Sequence, residues 1–192
     1  MENIPENFSP EGIERDSYAI IESEIPSPKP FRGRQWFVVR RMIHATGDIQ
    51  LPSLVQFHPD AVENGIETLK KGRLIITDTQ MVRVGISTKH ITPLGCKVVC
   101  LMNDPEVMER ASKSGKTRAA TAVDQVASRL DGSIYVIGNA PTALLRLLEI
   151  IGQDAPRPAL IVGMPVGFVN AKESKEALIK QGDVPFITVR GR

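Results

Sequence analysis

The chain has 192 residues, 42% of them apolar and 24% charged, with a formal net charge of +2. A chain of this length and mixture buries a sufficient core without staples, which argues against the disordered and membrane-spanning classes. The near-neutral balance also argues against a polybasic nucleic-acid binder, so no nucleic-acid partner is expected.

The opening string MENIPENFSPEG is polar and acidic and holds no apolar targeting core, and no apolar run reaches bilayer length. A cytoplasmic protein without membrane contact is expected. Residues 12–24 place Ile13, Tyr18, Ile20 and Ile21 as a short helix would, and the proline cluster IPSPKP at 25–30 must interrupt it. The string GRQWFVVRRMIHA at 33–45 fits helix and strand periods about equally poorly; its length and clustered basic residues favour helix. Asp60 then reads as the N-cap of AVENGIETLKK and Gly72 as its stop. These segments form a helical part to about residue 72, packed on an α/β core within a single domain spanning 1–192.

Beyond Gly72 short aliphatic runs recur: LIIT at 74–77, KVVCL at 97–101, SIYVIG at 133–138, ALIVG at 159–163 and FITV at 186–189. Helical segments alternate with them near 79–84, 116–130, 140–151 and 172–180. Alternation of this kind predicts a mainly parallel, five-stranded sheet covered on both faces, a three-layer α/β/α sandwich with right-handed crossovers. Its ligand should sit beyond the carboxyl ends of the strands, near a topological switch point. Cys96 and Cys100, four residues apart in an apolar stretch, match neither a zinc pair nor a redox motif and read as buried, inert thiols in a reducing compartment.

Several strings are candidate sites. SGKT at 114–117 lacks the first glycine of a phosphate loop, since Arg110 stands five positions before Gly115, so a polar helix start is the better reading. Thr117 and Arg118 still suit an anion at a helix N-terminus. IGNAPTA at 137–143 carries Gly138 alone where a dinucleotide fingerprint needs three glycines; Asn139 reads as a cap and Pro141 suits the first helical turn. GMPVGFVNAKESK at 163–175 either admits a ligand close to the backbone or merely turns a corner. Of the three histidines, His58 and His90 read as surface residues. His44 has Arg41 three residues before it on the same helix face and Asp48 one turn beyond, which suits proton transfer beside an anion site and equally suits a satisfied core histidine.

Taken in order, the strings DSYAII (16–21), RMIHATGD (41–48), ITDTQMVRVGI (76–86), KTRAA (116–120), IGNAPTAL (137–144) and GMPVGFVNAKESK resemble the precorrin-8X methylmutases. The likeness runs from Ser17 to Arg192. It implies a flavodoxin-like α/β fold, a homodimer, and isomerisation of precorrin-8 or its cobalt complex to hydrogenobyrinate or cobyrinate by moving the ring-C methyl from C-11 to C-12. Carried over by motif, His44 is the proton donor and acceptor, and Ser17 and Arg41 contact the tetrapyrrole. Gly85, Ser87, Thr88, Thr117, Arg118, Asn139, Ala140 and Thr142 line its pocket. Neighbouring enzymes of the cobalamin pathway are further expected partners. Members of the family continue past the Val-Arg-Gly-Arg string with a glycine-rich turn and a small-residue helix, whereas this chain stops at Arg192.

A methyl shift between adjacent ring carbons of a conjugated macrocycle is pericyclic in character and needs no nucleophile. No cofactor and no protein-bound metal is therefore expected; any cobalt travels within the substrate. Histidine exchanges a proton near neutral pH, and such a step contributes about 10²–10⁴-fold. The substrate's carboxylate arms around an apolar ring ask for apolar walls with scattered anion acceptors. Arg41, Arg118 and the helix starts near Thr117 and Asn139 are the acceptors that the sequence offers. Two other readings compete: a non-catalytic tetrapyrrole carrier, and a phosphate-binding enzyme built on SGKT.

Overall fold

Ser9 opens the first element, its hydroxyl accepting the Gly12 N–H at 3.1 Å, with Pro10 at the first helical position. In the computed structural model, which describes residues 9–153 and 156–192, helix α1 (Pro10–Glu24) follows from that cap. Residues 1–8, where the absence of an apolar leader was read, lie outside the described residues. The chain divides into two compact units, Met1–Val55 and Gln56–Arg192.

In the first unit α1 is followed by helix α2 (Gly33–Thr46) and a single 3₁₀ turn (Leu51–Ser53). The ambiguous string 33–45 is a helix because Trp36, Val39 and Ile43 fall on one side of it and are buried. Ile21 and Ile25 are buried with them. Gly47 ends α2 at φ 65°, its N–H donating to the Ile43 carbonyl at 2.8 Å, a left-handed cap that favours glycine. One carboxylate ties the hairpin. Glu22 of α1 accepts the Trp36 indole N–H at 2.7 Å and Arg40 Nη1 at 3.2 Å, and Lys29 Nζ lies 3.3 Å away. Burial by itself would raise the Glu22 pKa, but hydrogen bonds from Trp36, Lys29 and Arg40 outweigh it, so the carboxyl lies below its ordinary value.

The second unit is built on a six-stranded sheet of order β1-β6-β5-β4-β2-β3. Its strands are β1 (Val55–Phe57), β2 (Leu74–Thr77), β3 (Lys97–Val99), β4 (Ile134–Ile137), β5 (Leu160–Gly163) and β6 (Phe186–Val189). The pairs β2–β3, β2–β4, β4–β5 and β5–β6 are all parallel. Five strands were expected and six are found: β1 has three residues, too short to show a period beside the following His-Pro. The units divide at residue 55, so β1 apart from Val55, and helix α3 (Ala61–Lys70), belong to the sheet unit and not to a helical part reaching residue 72.

Alternate residues of each strand enter different cores. Ile76, Tyr135, Ile137, Ile161 and Phe186 join Val123 of α7 (Arg118–Val126), Leu144 and Leu147 of α8 (Pro141–Ile151), and Leu178 of α9 (Ala171–Gln181). Ile75, Ile134, Leu160 and Ile187 instead cluster with Ala61 of α3, while Ile86 and Ile91 pack against them around α4 (Gln80–Gly85) and α5 (Thr88–Ile91). Both faces of the sheet are thus dry, which is why these strands read as continuous aliphatic runs. Helix α6 (Pro105–Ser114) was missed although its signals were present: Asp104 accepts the Glu106 N–H at 2.9 Å, Pro105 stands first, and Gly115 ends it at φ 68°. The expected helix 116–130 is α7 followed by a 3₁₀ turn (Ala127–Arg129), and the strand expected to reach Leu101 ends at Val99.

Because Glu22 titrates below its unfolded value of 4.5, its contribution is complete above that pH and is lost as pH falls through the lower folded value. Glu22→Gln is expected to lower the melting temperature at pH 7 and to flatten the acid limb of the stability curve below pH 4.5. Parallel melts of both proteins between pH 3 and 7 check this, and identical acid limbs would refute it.

Candidate functional site

His44 lies in the last turn of α2 and is half-buried. Its ring packs against Tyr18 of α1, centroids 5.3 Å apart and planes tilted by 51°. With Ser17, Ile20, Ile21, Ile43 and Ile49 it lines a pocket of about 260 Å³ in the first unit. Among the described residues neither imidazole nitrogen has a hydrogen-bond or ion-pair partner. The structure thereby disfavours a satisfied core histidine: the ring is held by packing and its nitrogens are left for something else.

Arg41 does not line that pocket. Its Nη1 donates to Tyr18 Oη at 3.0 Å and pairs with Glu14, and these partners, Tyr18 first, raise the guanidinium pKa further. The Tyr18 ring is held from its other neighbour by the Arg40 guanidinium, 4.3 Å from its centroid. Ser17 Oγ donates to the Ile13 carbonyl at 2.7 Å. Asp48 is not on the His44 face, because the helix has ended at Gly47; its carboxylate accepts the Gln50 N–H at 2.8 Å.

The second unit brings together another group of the predicted residues. Thr117 is the N-cap of α7, accepting the Ala120 N–H at 3.2 Å, and its hydroxyl lies 2.9 Å from that of Thr142 at the start of α8. Arg118 follows, exposed and without an ion pair among the described residues. SGKT is accordingly a helix-to-helix turn, from the end of α6 through Gly115 to the cap of α7, and does not follow a strand as a phosphate loop must. Asn139 is not the cap of α8; Ala140 takes that position, and the N–H groups of Gly138, Asn139 and Ala140 donate to the Asp78 carboxylate at 3.2, 2.8 and 2.7 Å. That carboxylate was overlooked in the sequence because its partners lie some sixty positions away. Gly85, Ser87 and Thr88 are exposed, and Ser87 and Thr88 line a separate groove along the edge strand β3. His58 is half-buried: its ring packs edge-on to Phe186 at 6.0 Å, and its Nδ1 accepts the Asp60 N–H. His90 is exposed as expected, and both cysteines are free thiols, Cys96 buried.

A family model described as precorrin-8X methylmutase matches residues 12–192. The chain belongs to the precorrin-8X methylmutase family. It is 43% identical to the cobalt-precorrin-8 methylmutase of Leptospira interrogans over 187 residues, covering 94% of this chain and 84% of that one. Identity to the precorrin-8X methylmutase of a Sinorhizobium species is 42% over 177 residues, covering 92% and 83%. The crystal structure of the Thermus thermophilus precorrin-8X methylmutase matches with a TM-score of 0.87 at 43% identity, covering 95% of this chain and 87% of that one. Methylmutases are isomerases, and the family reading places this enzyme in cobalamin biosynthesis. Among the described residues no helix is long and apolar enough to cross a membrane, and no cluster of His, Cys, Asp or Glu could hold a metal ion.

The family's loop at 163–175 presents Val166, Phe168 and Val169 to solvent, with Phe168 86% exposed beneath the Arg192 guanidinium. It then enters α9, where Lys175 is only 2% exposed and has no hydrogen-bond or ion-pair partner among the described residues. Burial lowers the Lys175 pKa from its ordinary 10.5. The folded state therefore binds the proton less tightly than the unfolded one, so stability rises with pH towards 10.5 and is lost as pH falls to the folded value. Lys175→Met is expected to melt higher than wild type at pH 7, the gap narrowing as pH approaches 10.5. Thermal melts of the two proteins across that range check it; a variant less stable at pH 7 contradicts it.

Proposed function

We propose that this isomerase moves the ring-C methyl group of precorrin-8X or cobalt-precorrin-8 from C-11 to C-12, giving hydrogenobyrinate or cobyrinate, with His44 as proton donor and acceptor. The observation that carries the reading is the His44 imidazole: half-buried, packed on Tyr18, beside Ser17, and with neither nitrogen paired among the described residues. In the reaction the bond from the methyl to C-11 breaks as the bond to C-12 forms, and the ring's double bonds shift to match. Product and substrate are isomers, so no oxidant or reductant enters. A proton delivered by His44 to the ring nitrogen beside the migrating methyl draws electron density towards that nitrogen and lowers the barrier. It returns to the imidazole once the methyl has moved.

Apolar Ile20, Ile21, Ile43 and Ile49 around His44 suit the macrocycle's apolar rim. For the substrate's carboxylates we propose Arg41 and Arg118, with Ser17, Thr117 and Thr142 as hydroxyl partners. Gly85, Ser87, Thr88, Asn139 and Ala140 serve as further substrate contacts, the last two without their N–H groups, which Asp78 already holds. We further propose a cytoplasmic homodimer working without a cofactor. The exposed apolar side chains of Val166, Phe168 and Val169 support a protein partner, since contiguous exposed apolar groups mark such surfaces.

His44→Ala and His44→Asn are expected to lower turnover by about 10²–10⁴-fold while still binding the pigment. Following the visible absorption of either substrate form, with pigment binding measured separately, checks this. Conversion at the wild-type rate would refute the acid/base role of His44.

A further inference from the structure

Asp78 is the first residue after β2 and is 2% exposed. Its N–H donates to the Val136 carbonyl of β4 at 3.1 Å, continuing the contact between the two strands past the end of β2. This is the topological switch point of the sheet: from β2 the chain passes outwards to β3 on one side, and from β4 outwards through β5 and β6 on the other. Doubly wound sheets characteristically offer the free N–H groups of a helix start there, and a ligand's phosphate takes them.

Here those groups are taken by the chain itself. Oδ1 of Asp78 accepts the Gly138 N–H and also the Thr79 hydroxyl at 3.4 Å, and Oδ2 accepts the Asn139 and Ala140 N–H groups. Pro141 has no N–H to offer, and that of Ala143 returns to the Ala140 carbonyl at 3.0 Å. From the β2 side, α4 closes on the same turn, since a Cβ on Gly138 would lie 2.7 Å from Val82 Cγ2. An incoming anion would find the Gly138, Asn139 and Ala140 donors occupied and a like charge in their midst.

We infer that Asp78 is an internal anion in the phosphate seat of this fold. It determines specificity by excluding phosphorylated ligands from the switch point, and it positions the turn from Gly138 to Thr142. The inference stands on the unit Gln56–Arg192 alone and is independent of which pigment the enzyme converts.

Asp78→Ser, made in the full chain, removes the carboxylate and frees three N–H groups. Titration with inorganic phosphate is expected to shift the Gly138, Asn139 and Ala140 amide resonances of the variant saturably. Its melting temperature should rise by several degrees, and chloride at equal ionic strength should do neither. Wild-type amides should not move saturably. A variant that phosphate neither shifts nor stabilises shows a merely structural carboxylate and overturns the inference. Should that variant not fold, Asp78→Asn, which loses the charge but keeps an acceptor oxygen, is titrated in its place: saturable phosphate shifts at the three amides uphold the inference, and their absence overturns it.

Discussion

A parallel sheet has no wet face, and that constraint organises the sheet unit of this protein. Every strand from β2 to β6 feeds one core through one residue and the other core through the next, as Ile75 and Ile76 do. Helices must cover both faces, so each strand is followed by a crossover that returns the chain to the same end. The loops after β2, β4 and β5 consequently gather at the carboxyl edge, and three of the family's strings, at 76–86, 137–144 and 163–175, run into them. Burying Leu144, Leu147 and Leu178 is what holds those loops in place.

At that edge the backbone has obligations that a ligand need not meet. The start of α8 would leave N–H groups unsatisfied, and buried donors without partners cost roughly 1–3 kcal/mol each. Asp78 satisfies three at once from the end of a neighbouring strand. The same charge, after burial, helps raise the pKa of the enclosed Tyr135 phenol, which stays neutral beneath it.

The helical unit holds the His44 imidazole half-buried, by packing. Glu22 draws Trp36, Lys29 and Arg40 together, and the hairpin places Tyr18 against His44. Aromatic packing orients the ring without consuming either nitrogen, whereas a hydrogen-bonded orienting group would commit one of them. Arg41 is three residues away along the same helix, yet its guanidinium is turned to Glu14 and Tyr18, so linear proximity overstated its nearness to the pocket.

The sequence alone determined the class of fold, because uninterrupted aliphatic runs separated by capped helices bury only as a parallel sheet with both faces covered. It also carried the family, through His-Ala-Thr-Gly-Asp and the Gly-Met-Pro-Val-Gly-Phe-Val loop, and with the family the activity. Short or unperiodic pieces were not legible: β1 has too few residues to show alternation, and His58 precedes a proline yet packs on Phe186. Tertiary structure alone decided that Asp78 fills the start of α8, that Lys175 is buried, and that the His44 nitrogens have no partner among the described residues. Each of these depends on residues far apart in the chain meeting in space, and local propensity, periodicity and spacing carry no record of such meetings.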